Sequence, residues 1–339
     1  MGKYFVFLLI FILLCCTSSP PKKVDIVFYY WQSRFSLDSL ENHYLKVLNT
    51  QKIYVKAFDV DWDEHEKKAL PLSELTLNNS WFPPLEFIPT VFITNRTMIH
   101  LPAEKIEALG DQIMRKIQLK WKVFNWASPK EIQLDCDWSS QSRRNYFHLI
   151  DHLRKRHNLQ VTTTVRLHQF KYPLDTGVPP ADQGILMVYN MGDLNDPHEK
   201  NSILNLKTAA QYLNNVPKYP LKLQVALPLF SWGVLKRRGK VIALIPQIKE
   251  KARSVYFRSL SETDFLITKS HYFGELYLYE GDQLRQERVN IKELKETVRL
   301  IRGNLDYDSL ELCFYHLDQD ALEDFSTQDL KDIQAILQD

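Results

Sequence analysis

Ile132-Gln133-Leu134-Asp135-Cys136-Asp137-Trp138 is the stretch on which the fold of this chain turns. Side chains alternate across a β-strand, so two sets separate here. Ile132, Leu134, Cys136 and Trp138 are apolar, whereas Gln133, Asp135 and Asp137 are polar. The apolar set suits packing against helices. Three polar residues in a row on the opposite face do not suit an ordinary core. A closed barrel accommodates both sets, because its strands open at their C-terminal ends onto a solvated mouth. The two carboxylates then lie about 7 Å apart along one face.

The stretch Gln160–Gln169 repeats the pattern. Val161, Thr163, Val165 and Leu167 form an outward set; Thr162, Thr164, Arg166 and His168 form an inward one. Neighbouring parallel strands then bring Arg166 and His168 beside Asp135 and Asp137. That arrangement reads as an ion-pair network neutralising buried carboxylates, as a site whose acids are tuned by their neighbours, or as both.

Working outward, strands are expected at Val24–Trp31, Lys52–Trp62, Glu86–Thr94, Glu131–Trp138, Gln160–Gln169, Gly184–Met191, Leu221–Phe230 and Leu310–Leu317. Helical spacing marks 37–48, 103–124, 141–156, 204–213, 291–301 and 330–337. Eight strands, most followed by a helix, describe an α/β fold of the (β/α)8, TIM-like barrel type, with a doubly wound sheet as the runner-up. One domain, residues 24–339, accounts for all of them. The stretch 231–288 is too long for one loop. Its alternating Tyr272–Tyr279, followed by Glu280-Gly281-Asp282-Gln283, predicts an inserted β-hairpin between strands seven and eight.

Composition agrees with a globular chain. Of 339 residues, 45% are apolar and 25% charged. Lys plus Arg number 43 against 41 Asp plus Glu, so no charge-driven nucleic-acid partner is expected. Aromatic residues make up 12%, enough for stacking surfaces as well as core.

The first residues read as an address. Lys3 precedes a short apolar run, Tyr4–Leu14, that ends in Leu13-Leu14-Cys15-Cys16-Thr17-Ser18. A mature membrane helix needs about 20 apolar residues, so the run reads as a signal rather than a span. It resembles a bacterial lipoprotein signal, with residues 1–15 removed, Cys16 lipidated and 16–23 a tether. The partner implied is a membrane, reached through the lipid anchor. With no acidic residue after Cys16, resemblance to enterobacterial sorting rules implies the outer membrane of the cell envelope. Cys136 and Cys313 remain, both inside expected strands and expected as buried thiols.

Other strand ends add residues to the mouth. Trp31 closes strand one; Asp59 and Asp61 close strand two. Tyr189 and Asn190 end strand six, and Ser231 and Trp232 follow strand seven. Tyr315, His316 and Asp318 end strand eight. Trp31, Trp138 and Trp232 are expected near one rim, with Trp138 the outlier by strand parity.

The segments Ile132–Trp138, Tyr189-Asn190-Met191-Gly192-Asp193-Leu194 and Val225-Ala226-Leu227-Pro228-Leu229-Phe230-Ser231-Trp232-Gly233 resemble an uncharacterised family of bacterial envelope lipoproteins with a predicted glycoside-hydrolase-like TIM barrel. The resemblance covers most of the mature chain and implies the barrel and the envelope location. The strand-four motif is also similar to the Asp-rich fourth strand of chitinase-like barrels. That pattern ends in a Glu acting as general acid, whereas this strand runs Asp137-Trp138-Ser139.

Three functions follow as expectations. The first is a carbohydrate-active, glycoside-hydrolase-like enzyme. Asp137 would serve as acid, Asp135 would support it, and Asp61 or Asp318 would be the second carboxylate. Arg166, His168, Tyr189, Asn190, Trp232 and Trp31 would bind the sugar. The second is a non-catalytic barrel binding glycan or protein, favoured by the missing Glu. The third, a metal-dependent hydrolase, would need His168, His316 and Asp137 to meet, and the chain has no tight His-x-His pair. Neither a cofactor nor a metal ligand set is read from the sequence.

Overall fold

A computed structural model describes residues 22–339 except 79–82, 197, 247 and 249–254. The signal, Cys16 and most of the tether lie outside the described residues. Eight parallel strands close on themselves: β1 Lys23–Tyr30, β2 Lys52–Asp63, β3 Glu86–Ile93, β4 Glu131–Asp135, β5 Gln160–Arg166, β6 Gln183–Met187, β7 Leu223–Pro228 and β8 Ser309–Tyr315. They pair in chain order, and β1 bonds to both β2 and β8, which completes the (β/α)8-type barrel. Closure leaves no barrel edge to template aggregation.

Helices α1 Ser39–Val47, α2 Ile106–Val123, α3 Arg143–His157, α4 Leu206–Leu213, α5 Ile291–Asn304 and α6 Thr327–Gln338 lie in the connections. Each buries one stripe. In α3, Tyr146, Leu149, Ile150 and Leu153 face inward, as helical spacing requires. Burying each such side chain contributes about 1.5–3 kcal/mol. Between β2 and β3 the connection instead carries Lys68–Leu72, which pairs antiparallel with β2.

Strand ends fall short of expectation at the mouth. β4 stops at Asp135 and β5 at Arg166, because ladder pairing with neighbours lapses as the barrel flares. Residues 136–138 continue as loop. Leu167–Lys171 turns into a short helix, fastened by Gln169, whose side chain accepts from Arg166 N at 2.8 Å and donates to Trp138 O at 3.1 Å.

The insertion is larger than the expected hairpin. Five antiparallel strands form a sheet in the order Lys240–Pro246, Ser231–Arg237, Gln283–Arg288, Asp264–Ile267 and Phe257–Ser259. The segment expected as one hairpin splits, with His271–Phe273 pairing Leu276–Leu278 and the rest joining the sheet. The sharp turn at Arg238-Gly239, both at positive φ, closes its first hairpin. Leu235, Ile248, Phe265, Ile267, Leu278 and Leu284 give the insertion a small core of its own. Sequence patterning missed this because its strands are short and partly exposed.

Candidate functional site

The inward face of β4 organises the barrel interior in polar layers. At the floor, Glu131 meets Lys52 Nζ at 2.9 Å, and Lys52 also reaches Glu311 at 2.7 Å. The Tyr54 hydroxyl and Thr162 Oγ1 close the same network. One layer higher, Thr90 donates to Gln133 Oε1 at 3.1 Å. Above that, Thr164 donates to Asp135 Oδ1 at 2.7 Å. At the rim, Arg166 Nε donates to Asp137 Oδ1 at 2.5 Å. β4 and β5 thus place like-numbered layers together, as strand alternation demands.

The outward set behaves differently. Cys136 is buried, and Trp138 stacks on Tyr146 of α3 at 5.6 Å. Thr163 bonds the same tyrosine's hydroxyl at 2.6 Å. Cys136 and Cys313 are both free thiols, and burial pushes both well above the ordinary cysteine value.

Electrostatics separates the two aspartates. Burial raises the Asp135 carboxyl above the usual range; Arg166 and the Thr164 hydroxyl pull it down, while Asp137 and Asp59 push it up. Asp137 is half exposed and paired with a guanidinium. Burial opposes the charge on Arg166, and Asp137 and Asp135 more than restore it. His168 stands on the short helix, not on the strand, and is exposed at the cavity wall. Partial burial holds it below the ordinary histidine value, while Asp137 pulls it up.

A cavity of about 650 Å³ opens above this rim. Asp137, Arg166, His168, Tyr189 and Asn190 all line it, together with Trp138, Ser139, Asp175, Met191 and Tyr212. Asn190 also lines a second cavity of about 370 Å³, walled by Phe230, Trp232, Tyr315, His316 and Asp318. The two cavities share Asn190 in their linings at the C-terminal face. Asp135 lies below it, buried. The Tyr189 ring stacks on Tyr315 at 5.3 Å, and its buried hydroxyl has no protein partner.

Several expected residues fall elsewhere. Trp31 packs on Tyr29 and Tyr315, within 5.9 Å of Lys56 Nζ, and lines neither cavity. Trp232 is on the first strand of the insertion, its indole N–H donating to Glu287 at 2.8 Å. Asp61 is claimed by Arg96 and Thr94, whose hydrogen bonds drop its pKa to about 2. Asp318 accepts from Gln32 at 2.6 Å and caps the helix Gln319–Leu322. His168 and His316 line different cavities, so they do not join Asp137 in one ligand set. Sequence reasoning missed Tyr212, Asp175 and Glu287. Tyr212 lies within a helical pattern, Asp175 on a four-residue helix, and Glu287 on a strand read only as insertion. None carries a local signal.

No family model and no curated protein matches this chain. Solved structures do. The chain is similar to the Bacillus megaterium QM B1551 spore cortex-lytic enzyme SleL, with a TM-score of 0.53 at 12% identity over 94% of this chain and 75% of that one. The Bacillus cereus enzyme of the same name gives 0.50 at 13% identity, covering 93% and 75%. A Chromobacterium violaceum chitinase gives 0.49 at 12% identity, covering 94% and 100%. At such identities the likeness establishes the shared barrel fold.

Proposed function

We propose that this chain is a glycoside-hydrolase-like barrel that recognises carbohydrate along the cleft at its C-terminal face. The observation that carries this reading is a pair of cavities that share Asn190, both with aromatic residues in their walls, the larger one floored by the Arg166–Asp137 pair. Ring faces of Trp232, Tyr212 and Phe230 suit the apolar faces of sugars. Asp137, Arg166, Asn190 and His168 offer donors and acceptors for hydroxyl groups. The barrel fold is shared with two spore cortex-lytic enzymes.

Recognition without turnover is the reading favoured by the rim. The Asp137 carboxylate is engaged by the Arg166 guanidinium, and Ser139 stands where the chitinase-like pattern has its Glu. The second reading is hydrolysis with Asp137 as acid and Asp135 behind it. It is favoured by the raised Asp135 carboxyl beneath the rim. An oligosaccharide panel on wild type, Asp137→Asn and Trp232→Ala decides. Retention without release, weakened in Trp232→Ala, supports recognition. Release of sugar that is lost in Asp137→Asn establishes hydrolysis. A wild type that neither retains nor cleaves any glycan overturns both.

The same proposal places the barrel on the cell envelope, tethered through lipid on Cys16. Its support is Lys3, the short apolar run and Leu14-Cys15-Cys16. Among the described residues no helix is long and apolar enough to cross a membrane. Cys16→Ala should release the protein from membranes or leave its signal uncleaved. Membrane fractionation unchanged in Cys16→Ala but altered in Cys15→Ala would move the site to Cys15.

A further inference from the structure

On the outside of the barrel, α2 and α3 pack side by side, and a polar cluster interrupts their otherwise apolar seam. Asp111 on α2 and His152 and His157 on α3 bring their ligand atoms within 4.8 Å of one another. Both imidazole Nε2 atoms converge on one oxygen, Asp111 Oδ1, at 2.9 and 3.2 Å. All three residues are half-buried. We propose that Asp111, His152 and His157 form a binding site for a divalent transition-metal ion, zinc being the fitting one. The ion would clamp α2 to α3.

The chemistry of the donors supports this. Two imidazoles and a carboxylate match the nitrogen and oxygen set that zinc accepts, with a solvent molecule free to take the fourth position. Zinc bonds of about 2.1 Å to tetrahedral ligands put donor atoms roughly 3.4 Å apart. The two imidazole–carboxylate spacings need only a few tenths of an ångström of spreading, and the two imidazole nitrogens lie within 4.8 Å of each other. Behind the cluster, Glu107 Oε2 lies 3.9 Å from His152 Nδ1, and Glu107 Oε1 lies 3.1 Å from His148 Nε2. At 3.9 Å Glu107 lies near the far nitrogen of His152 without a hydrogen bond to it, and its bond goes to His148.

A second, independent observation concerns Gly110. A glycine inside a helix costs about 1 kcal/mol relative to alanine, so it needs a local reason. Here a Cβ on Gly110 would fall 2.8 Å from His152 Cδ2 and 3.2 Å from Leu149 Cδ1. The glycine lets α3 lie close on α2 at this level, and the His152 ring takes part of that space beside Asp111.

Metal content is the test, made on the untagged full chain after chelation and dialysis. One zinc ion per chain is expected on readdition, with a higher Tm. Cobalt substitution should give the visible absorption of a tetrahedral ion. His157→Gln and Asp111→Asn should abolish stoichiometric binding while keeping the wild-type circular dichroism. Wild-type protein that takes up no stoichiometric zinc overturns the site, as does binding of equal strength in His157→Gln and Asp111→Asn. None of these residues lines the cleft, so glycan retention gives a separate readout.

Discussion

Arg166 of β5 reaches Asp137 at 2.5 Å across the rim, one layer above Asp135, which is buried and bonded by Thr164. A single guanidinium thus serves two carboxylates that differ in exposure. The outer partner contributes little to stability, since exposed pairs are worth about 0–1 kcal/mol. The inner carboxylate has more to lose.

Arg166→Met should destabilise the fold by about 3 kcal/mol at neutral pH, because it leaves Asp135 buried without its countercharge. The loss should shrink as pH falls. A carboxyl whose folded pKa is raised penalises folding above that pKa and is relieved below it, and removing Arg166 raises Asp135 further. Urea midpoints of both proteins across roughly pH 4 to 8 should converge at the acid end. A constant gap would show that Arg166 acts by packing alone.

Tyr189→Phe should fold with wild-type stability, to within about 0.5 kcal/mol, since the hydroxyl it removes has no protein partner. Glycan affinity should nonetheless fall, by roughly 2- to 10-fold, where bound ligand opens the packing over this buried hydroxyl and bonds it. Calorimetric titration alongside thermal unfolding separates the two effects. Equal affinity would remove Tyr189 from the recognition surface.

At the barrel floor, Lys52 bridges Glu131 and Glu311. Lys52→Met should cost about 3 kcal/mol by stranding two acids near each other. Adding Glu131→Gln to Lys52→Met should recover part of this, because one stranded charge is gone. Denaturant unfolding of the single and double variants tests it, and a double variant no more stable than Lys52→Met would contradict the charge explanation.

Glu41 caps α1 from a site where burial lifts its pKa to about 7, while the Asp38 N–H that it accepts pulls the other way. Its penalty should therefore be complete above pH 7 and relieved as pH falls below it. Glu41→Gln should be more stable than wild type at alkaline pH, by on the order of 2 kcal/mol, and equal to it near the ordinary carboxylate range. Thermal melts across that range check the sign.

By itself the sequence determined the barrel. Alternation in Ile132–Trp138 and in Gln160–Arg166 is a local property, set by the pleat, so the inward layers were legible from residue order. The apolar stripe of α3 was legible for the same kind of reason. Tertiary structure decided what depends on neighbours distant in the chain. It ended β4 and β5 early, which moved His168 off the strand, because ladders end where their partners diverge. It built a five-stranded sheet where one hairpin was expected, since short half-exposed strands acquire their pattern only from each other. It engaged Asp61 with Arg96, gave Asp318 a helix cap at the wall of the second cavity, and packed Trp31 against Tyr315. The Asp111–His152–His157 cluster was likewise invisible in one dimension: its members are 41 and 46 residues apart from Asp111, and only the packing of α2 on α3 brings them together.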